Sequence, residues 1–191
     1  MHIAIIGKGN VGSALQAGLS RLGHQVQAVG RDPQQIHQAA LASELLILAM
    51  PFSAMDDVIT ALGVAADSKI VIDATNLLTE SLHLADGFDT SGAEQLQARL
   101  PAARVIKAFN TCFASTMSSG HVKGEQLVGL VAGDHAPAKH IVLEIVDALG
   151  FDAVDAGPLL MARYLEPMAL LNIRLGYVQG LGPDIGFRLV R

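Results

Sequence analysis

Cysteine is nearly absent: among 191 residues only Cys112 carries a thiol. That excludes an internal disulfide and any zinc site built on several cysteines. Tryptophan is missing, and two tyrosines and six phenylalanines are the only aromatic residues, too few for a platform on which nucleic-acid bases stack. Positive charge is scarce as well. Thirteen Lys and Arg against 18 Asp and Glu leave a formal net charge of −5, whereas a nucleic-acid surface draws its affinity from clustered cations. No apolar run reaches the length of a membrane span, about 18 residues or more, and Met1-His2-Ile3 lacks the basic stretch of a secretion signal. The expectation is a reduced, cytoplasmic protein that contacts neither nucleic acid nor membrane.

Apolar residues, in contrast, make up 51% of the chain and charged ones only 16%, and the mean hydropathy is +0.41. A parallel sheet covered on both faces and a helix buried against a second subunit would each produce such a balance, and both are expected. Short Val-, Ile- and Leu-rich runs recur at 2–6, 25–29, 45–49, 69–73, 104–109, 126–131 and 151–154. Each has strand length and little alternation, as strands buried on both faces should.

Helical stretches separate the runs. Val11, Ala14, Leu15, Leu19 and Leu22 share one helical face that ends at Gly23. Asp32-Pro33 reads as a cap followed by a first-turn proline. A second stretch from Ser53 to Leu62 stops at Gly63, Ser91 and Glu94 have the spacing of a capping box, and Asp134 is placed to cap a helix running to about Leu149. Strand and helix in alternation predict an α/β protein with a Rossmann-like, doubly wound parallel sheet. Residues 76–91, with a turn at Asp86-Gly87, lack periodicity and read as a loop over a site. From Gly157 the pattern changes to an almost wholly apolar helical region over 158–179, with Arg163, Glu166 and Arg174 on roughly one side. Pro167 interrupts it, which predicts two short helices or one kinked helix.

Gly7-Lys8-Gly9-Asn10-Val11-Gly12 follows the first strand at once and opens the first amphipathic helix. A GxGxxG pattern is weak alone, but strand, spacing and helix are the context that dinucleotide binding requires. Gly7 permits the tight turn, Gly9 lets a pyrophosphate approach the backbone, and Gly12 lets helix and strand pack closely. Amides at the helix start then hold the phosphates. The second strand ends Val29-Gly30-Arg31-Asp32. Gly30 stands where an NAD site carries an acid, and Arg31 offers a planar donor fork to a 2′-phosphate, so NADP(H) is favoured over NAD(H). Arg31 could equally be a solvated strand-end charge, and Asp32 would repel the phosphate unless its carboxylate turns inward as a helix cap. The remaining strand ends, Met50-Pro51-Phe52, Ala74-Thr75-Asn76 and Ala108-Phe109-Asn110, should complete the site, because ligands of such sheets bind beyond the carboxyl ends of strands. Asn76 and Asn110 are candidate partners for the nicotinamide and its ribose, or simply turn caps.

Further blocks join the glycine motif in a fixed order: Gly30-Arg31-Asp32-Pro33, Ile72-Asp73-Ala74-Thr75-Asn76, Val105-Ile106-Lys107-Ala108-Phe109-Asn110-Thr111, Asp155-Ala156-Gly157-Pro158-Leu159, and a terminal Gly180-Leu181-Gly182 with Ile185-Gly186-Phe187. Together they resemble the NADP oxidoreductases dependent on the deazaflavin coenzyme F-420. They are also similar to the cytosolic domain of the transmembrane ferric reductases that pass hydride from NADPH to flavin. The resemblance implies an NADP-binding Rossmann domain over 1–156 and a helical region over 157–191 that dimerises and borders the acceptor pocket. It puts dinucleotide contacts on Gly9, Asn10, Val11, Arg31, Pro51 and Asn76, and the acceptor, coenzyme F-420 or a flavin (FMN or FAD), near Asn110 and the turn Gly157, Pro158, Leu159. The chain departs from the family in having Gly30 where a serine is usual. The short interval from Arg31 to Leu45 also leaves no room for the usual extra helix and strand, so the sheet edge beside the adenine should lack a strand.

Hydride transfer between flat rings needs apposition and dryness rather than a resident acid–base pair, and none is evident. The seven histidines form no HExxH pattern, and no Gly-x-Ser-x-Gly elbow occurs. Cys112 reads as a packing residue, while Met50, Phe52, Phe109 and Met161 could line a dry slot or belong to the core. Two other readings stay open. A reductase of a small carbonyl or imine would need a proton donor, for which Lys107 and Tyr164 are the nearby candidates; a sensor module would bind NADPH without turning it over.

Overall fold

The computed structural model describes residues 1–79, 83 and 89–191. Its strands are β1 (His2–Ile6), β2 (Gln25–Val29), β3 (Leu45–Leu48), β4 (Ile70–Asp73), β5 (Arg104–Lys107), a small hairpin of β6 (His121–Val122) and β7 (Glu125–Gln126), β8 (Val128–Gly133) and β9 (Asp152–Gly157). Seven of them form one sheet in the order β2-β1-β3-β4-β5-β8-β9. The strands from β2 to β5 are parallel. Contrary to the all-parallel expectation, β8 runs antiparallel to β5, and β9 follows β8. The cause lies in the connection. Between Lys107 and Val128 there is only helix α5 (Ala114–Met117) and the β6–β7 hairpin, too little to carry the chain back across the sheet as a parallel neighbour requires. Strand β2 pairs with β1 alone and forms the sheet edge, as the short interval after Arg31 predicts.

Helices α1 (Asn10–Arg21) and α6 (Ala136–Ala148) cover one face, while α2 (Pro33–Ala42), α3 (Met55–Leu62) and α4 (Gly92–Arg99) cover the other. The two-residue period of a strand divides β1 between them: Ile3 and Ile5 enter the first core, Ala4 and Ile6 the second. All four residues of β3 are fully buried, each worth about 1.5–3 kcal/mol of transfer free energy. That double coverage accounts for runs without alternation.

Caps follow the sequence reading with one exception. The Asp32 carboxylate accepts from the amides of Gln34 (2.9 Å) and Gln35 (3.4 Å) at the start of α2, and Ser91 Oγ accepts from the Glu94 amide. Helix α6, however, is capped by His135, whose Nδ1 accepts from the Ala138 amide at 3.2 Å. Asp134 accepts instead from the Leu159 amide at 2.9 Å. The turn expected at Asp86-Gly87, and with it half of 76–91, lies outside the described residues.

After β9 a single helical turn, Leu159–Met161, leads into α7 (Ala162–Ile173), which continues as a wider π-type turn, Arg174–Val178. Pro167 sits inside α7, so the region is one continuous helix lacking one backbone donor. The expected boundary at 156/157 falls within β9, and Leu159 and Ala162 join the core under α4. Among the described residues no helix is long and apolar enough to cross a membrane.

Candidate functional site

The chain leaves β1 through Gly7, whose φ of +130° is open to glycine and strained for other residues. The Gly7 amide donates to Val29 O at 2.9 Å, and a Cβ there would lie 2.1 Å from Ala49 O. Gly7 is thus wedged between the carboxyl ends of β2 and β3, where the order of strands reverses about β1. Gly12 is equally crowded, since a Cβ would lie 2.0 Å from Gly7 O. Gly9 differs: among the described residues no heavy atom lies within 4 Å of its Cβ position. It is the N-cap of α1, and no side chain caps that helix. The first-turn amides therefore face an open cradle at the positive end of a twelve-residue helix.

Around this turn stand the other predicted phosphate and adenosine contacts. Lys8 and Arg31 are exposed, Gly30 has open space at its Cβ position, and Arg31 has no partner among the described residues. The carboxylate of Asp32 is committed to capping α2, so it does not oppose an anion near Arg31. Met50, Pro51 and Phe52 follow β3, with Met50 and Phe52 packed against the second core.

Beyond the carboxyl ends of β4 and β5 lies a cleft of about 360 Å³. Asn10, Val11, Asn76 and Asn110 border it, joined by Asn172 and Tyr177 from the carboxyl-terminal region. A hollow of about 200 Å³ beside His2, Gln25 and Ser43 sits at the amino ends of β1 and β2, away from the glycine turn. In the larger cleft the two predicted asparagines pair. Asn110 Nδ2 donates to Asn76 Oδ1 (2.9 Å) and to Leu165 O of α7 (3.0 Å), and Asn76 Nδ2 donates back to Asn110 O (3.2 Å). Asn172 Nδ2 donates to Thr111 O at 3.0 Å, pinning α7 over the strand ends. Asn110 Oδ1 is buried without a partner among the described residues, which leaves an acceptor whose desolvation they do not compensate. The preceding residue, Phe109, has φ +66°, a strained setting for a bulky side chain of about 1–3 kcal/mol.

Several expected site residues have other employment. Ala108 is fully buried in the first core, and Phe109 packs edge-on against Phe151 at 6.3 Å. Met161 lies by Gly157, so Met50, Phe52, Phe109 and Met161 do not converge on one slot. Thr75 Oγ1 donates to Asp73 Oδ1 at 2.7 Å and is buried. The turn Gly157-Pro158-Leu159 does not border the cleft either. Because β9 runs against β5, its end points to the opposite rim of the sheet. There Gly157 O accepts from Lys139, and Leu159 is buried. Cys112 borders the cleft, but burial pushes its thiol up to about 11 despite the opposing hydrogen bond with Thr111, so it is no nucleophile.

Beneath the asparagine pair lies a charged group the sequence reading did not identify. Lys107 is fully buried, and its three ammonium protons go to Asp73 Oδ2 (2.9 Å), Thr75 O (2.6 Å) and Glu166 Oε1 (2.8 Å). Burial opposes that charge, but attraction and hydrogen bonds from Asp73 and Glu166 outweigh it and raise the lysine pKa. Glu166, 2% exposed, also accepts from the amides of Leu77 (3.3 Å), Gly92 (3.1 Å) and Ala93 (3.3 Å). The last two open α4, whose positive end favours a carboxylate. The available signal was an acid in a nearly all-apolar helix and charges at the ends of two buried strands.

A mostly parallel sheet that reverses order about β1, with an open glycine turn at the reversal, defines a Rossmann-like α/β protein. Residues 2–77 match the family "NADP oxidoreductase coenzyme F420-dependent". The chain is 30% identical over 180 residues to Metalloreductase STEAP3 of Rattus norvegicus, covering 88% of this chain and 36% of that protein. It is 31% identical over 148 residues to the F420-dependent NADP reductase of Methanothermobacter marburgensis, covering 72% and 65%. A crystal structure from Arthrobacter sp. FB24, provisionally assigned as an F420-dependent NADP-reductase, superposes with TM-score 0.92 at 29% identity over the whole of both chains. The resemblance read from the sequence blocks therefore holds. The chain spans less than two thirds of the length of these two curated relatives.

Proposed function

We propose that this protein binds NADP(H) along the crevice from Arg31 to Asn110 and exchanges hydride with a deazaflavin such as coenzyme F-420, or with a flavin. The observation that carries the reading is the cradle at Gly9, open in front and backed by uncapped amides, with Arg31 exposed beside it. Those features fit a dinucleotide: the backbone of residues 9–12 would hold its pyrophosphate, Arg31 its 2′-phosphate, and Asn76 and Asn110 its nicotinamide end. When bound, the nicotinamide supplies the hydride. The protein's own part is to orient the rings and exclude water through Val11, Phe113, Ala169 and Ile173, which border the cleft. A carbonyl or imine substrate finds less support, because Lys107 is sealed in its ion network and Tyr164 is exposed outside the cleft.

Titration with NADPH and NADH tests the cofactor. NADPH should bind the more tightly, and Arg31→Ala should lower its affinity by about tenfold, the scale of a charged phosphate contact, while leaving NADH unchanged. Tighter NADH binding would refute it. Loss of reduced-nicotinamide absorbance with F-420 or FMN tests turnover, and binding without oxidation by either would favour a sensor.

We also propose a homodimer in the cytoplasm, with Leu160, Tyr164, Leu171 and Val178, all exposed, as the apolar face to be covered. Sedimentation at micromolar concentration decides between dimer and monomer.

A further inference from the structure

We infer that Glu166, outside the cleft, is the positioning residue that sets the Asn76–Asn110 pair and with it the nicotinamide end of the site; this rests on the NADP(H) reading above. Asn76 is fixed from both sides along the chain. The carbonyl before it, Thr75 O, is held by Lys107 Nζ at 2.6 Å, and the amide after it, Leu77 N, is held by Glu166 Oε2 at 3.3 Å. Lys107 is itself anchored on Glu166 Oε1 at 2.8 Å. The second asparagine is tied to the same stretch of helix, since Asn110 Nδ2 donates to Leu165 O, the residue adjoining Glu166. One carboxylate of α7 thus stands behind both members of the pair without touching the cleft.

The chemistry of the group argues for a geometric role. Two carboxylates share one ammonium in a dry interior, so the group carries an excess negative charge, balanced by the amides of Leu77, Gly92 and Ala93. An apolar contact of the same volume could hold α7 to α4 about as well, because buried ion networks seldom add net stability. What the network adds is direction: it fixes where Thr75 O and Leu77 N point, to within hydrogen-bonding tolerance. Binding at a preorganised site depends on such direction, and a misplacement near 1 Å can cost on the order of a hundredfold in function.

Glu166→Gln tests this. The substitution keeps the shape but turns one acceptor oxygen into an NH2 that must face either Lys107 or backbone amides, all donors. Affinities of the whole protein would be measured by calorimetry for NADPH and for 2′-phospho-ADP-ribose, which has both phosphate groups but no nicotinamide. The variant should lose on the order of tenfold for NADPH and less than about twofold for 2′-phospho-ADP-ribose. Asn76→Ala should do the same, and the double variant should lose no more than either alone. As a control, Arg163→Met cuts a different tie between α7 and α4 and should not separate the two ligands. If Glu166→Gln fails to fold, Glu166→Asp, which keeps the charge but shortens the reach, is read on the same two ligands. Equal loss for both ligands, no loss for either, or additive losses in the double variant would each overturn the inference. A native protein that binds neither ligand would bring down the cofactor reading, and this inference with it.

Discussion

The glycine turn and the asparagine pair stand at two parts of one crevice and are made by opposite means. The turn is a run of consecutive residues whose backbone does the work. Gly7 and Gly12 are glycine because their surroundings leave no room, whereas the space in front of Gly9 is open among the described residues. The pair depends on side chains from β4, β5 and α7, and a key contact, Leu77 to Glu166, joins residues 89 apart. A local backbone site tolerates change everywhere except at its glycines. A long-range side-chain site inherits the fate of every element that supplies it.

The strongest way to break that contrast is to remove the cation under the pair. Lys107→Met leaves Asp73 and Glu166 buried with no counter-charge, and breaking such a group costs about 3–5 kcal/mol. Urea unfolding at pH 7 should register that loss. A loss below about 1 kcal/mol would mean that the network contributes little to the docking of α7.

The same contrast explains what could be read in advance. All seven strands of the main sheet appear where apolar runs mark them, because burial of β3 or β4 on both faces is written directly in side-chain type. The glycine turn is legible because its signal, three glycines at fixed spacing after an apolar run, lies within six residues. Strand direction leaves no such mark. Val128–Gly133 reads alike whichever way it runs, so the reversal of β8 and β9 was invisible, and with it the removal of Gly157, Pro158 and Leu159 to the far rim. In sequence Lys107 reads as a candidate proton donor and Glu166 as one of three charges along an apolar helix. Only their meeting in three dimensions makes them a unit.

At the glycines, two single-methyl changes should have opposite consequences. Gly7→Ala places a Cβ against Ala49 O at a backbone angle closed to alanine, and should cost about 2–4 kcal/mol of stability. Gly9→Ala meets nothing in the protein, and with φ −75° at that position its unfolding curve should stay within about 0.5 kcal/mol of the native one. Its NADPH affinity should nevertheless fall, since the methyl group occupies the space proposed above for the pyrophosphate. Equal melting temperatures for the two variants would show that crowding at Gly7 is relieved by movement of β3.

The outer tie between α7 and α4 provides the smallest effect and the sharpest contrast with the buried one. Arg163 grips Glu94 with two nitrogens at 2.8–3.2 Å, both side chains being about a quarter exposed. Those hydrogen bonds hold the Glu94 carboxyl below the usual range, with burial opposing and Ser91 assisting. A carboxyl whose folded pKa is depressed adds stability above its unfolded value, near about 4.3, and the contribution disappears as pH falls through the lower folded value. Glu94→Gln should therefore lower the melting temperature slightly at neutral pH, by an amount that salt reduces, and the gap should close in acid. Neither NADPH nor 2′-phospho-ADP-ribose affinity should change. If instead this variant loosened NADPH alone, the docking of α7 as a whole, rather than the carboxylate of Glu166, would be what the nicotinamide end senses.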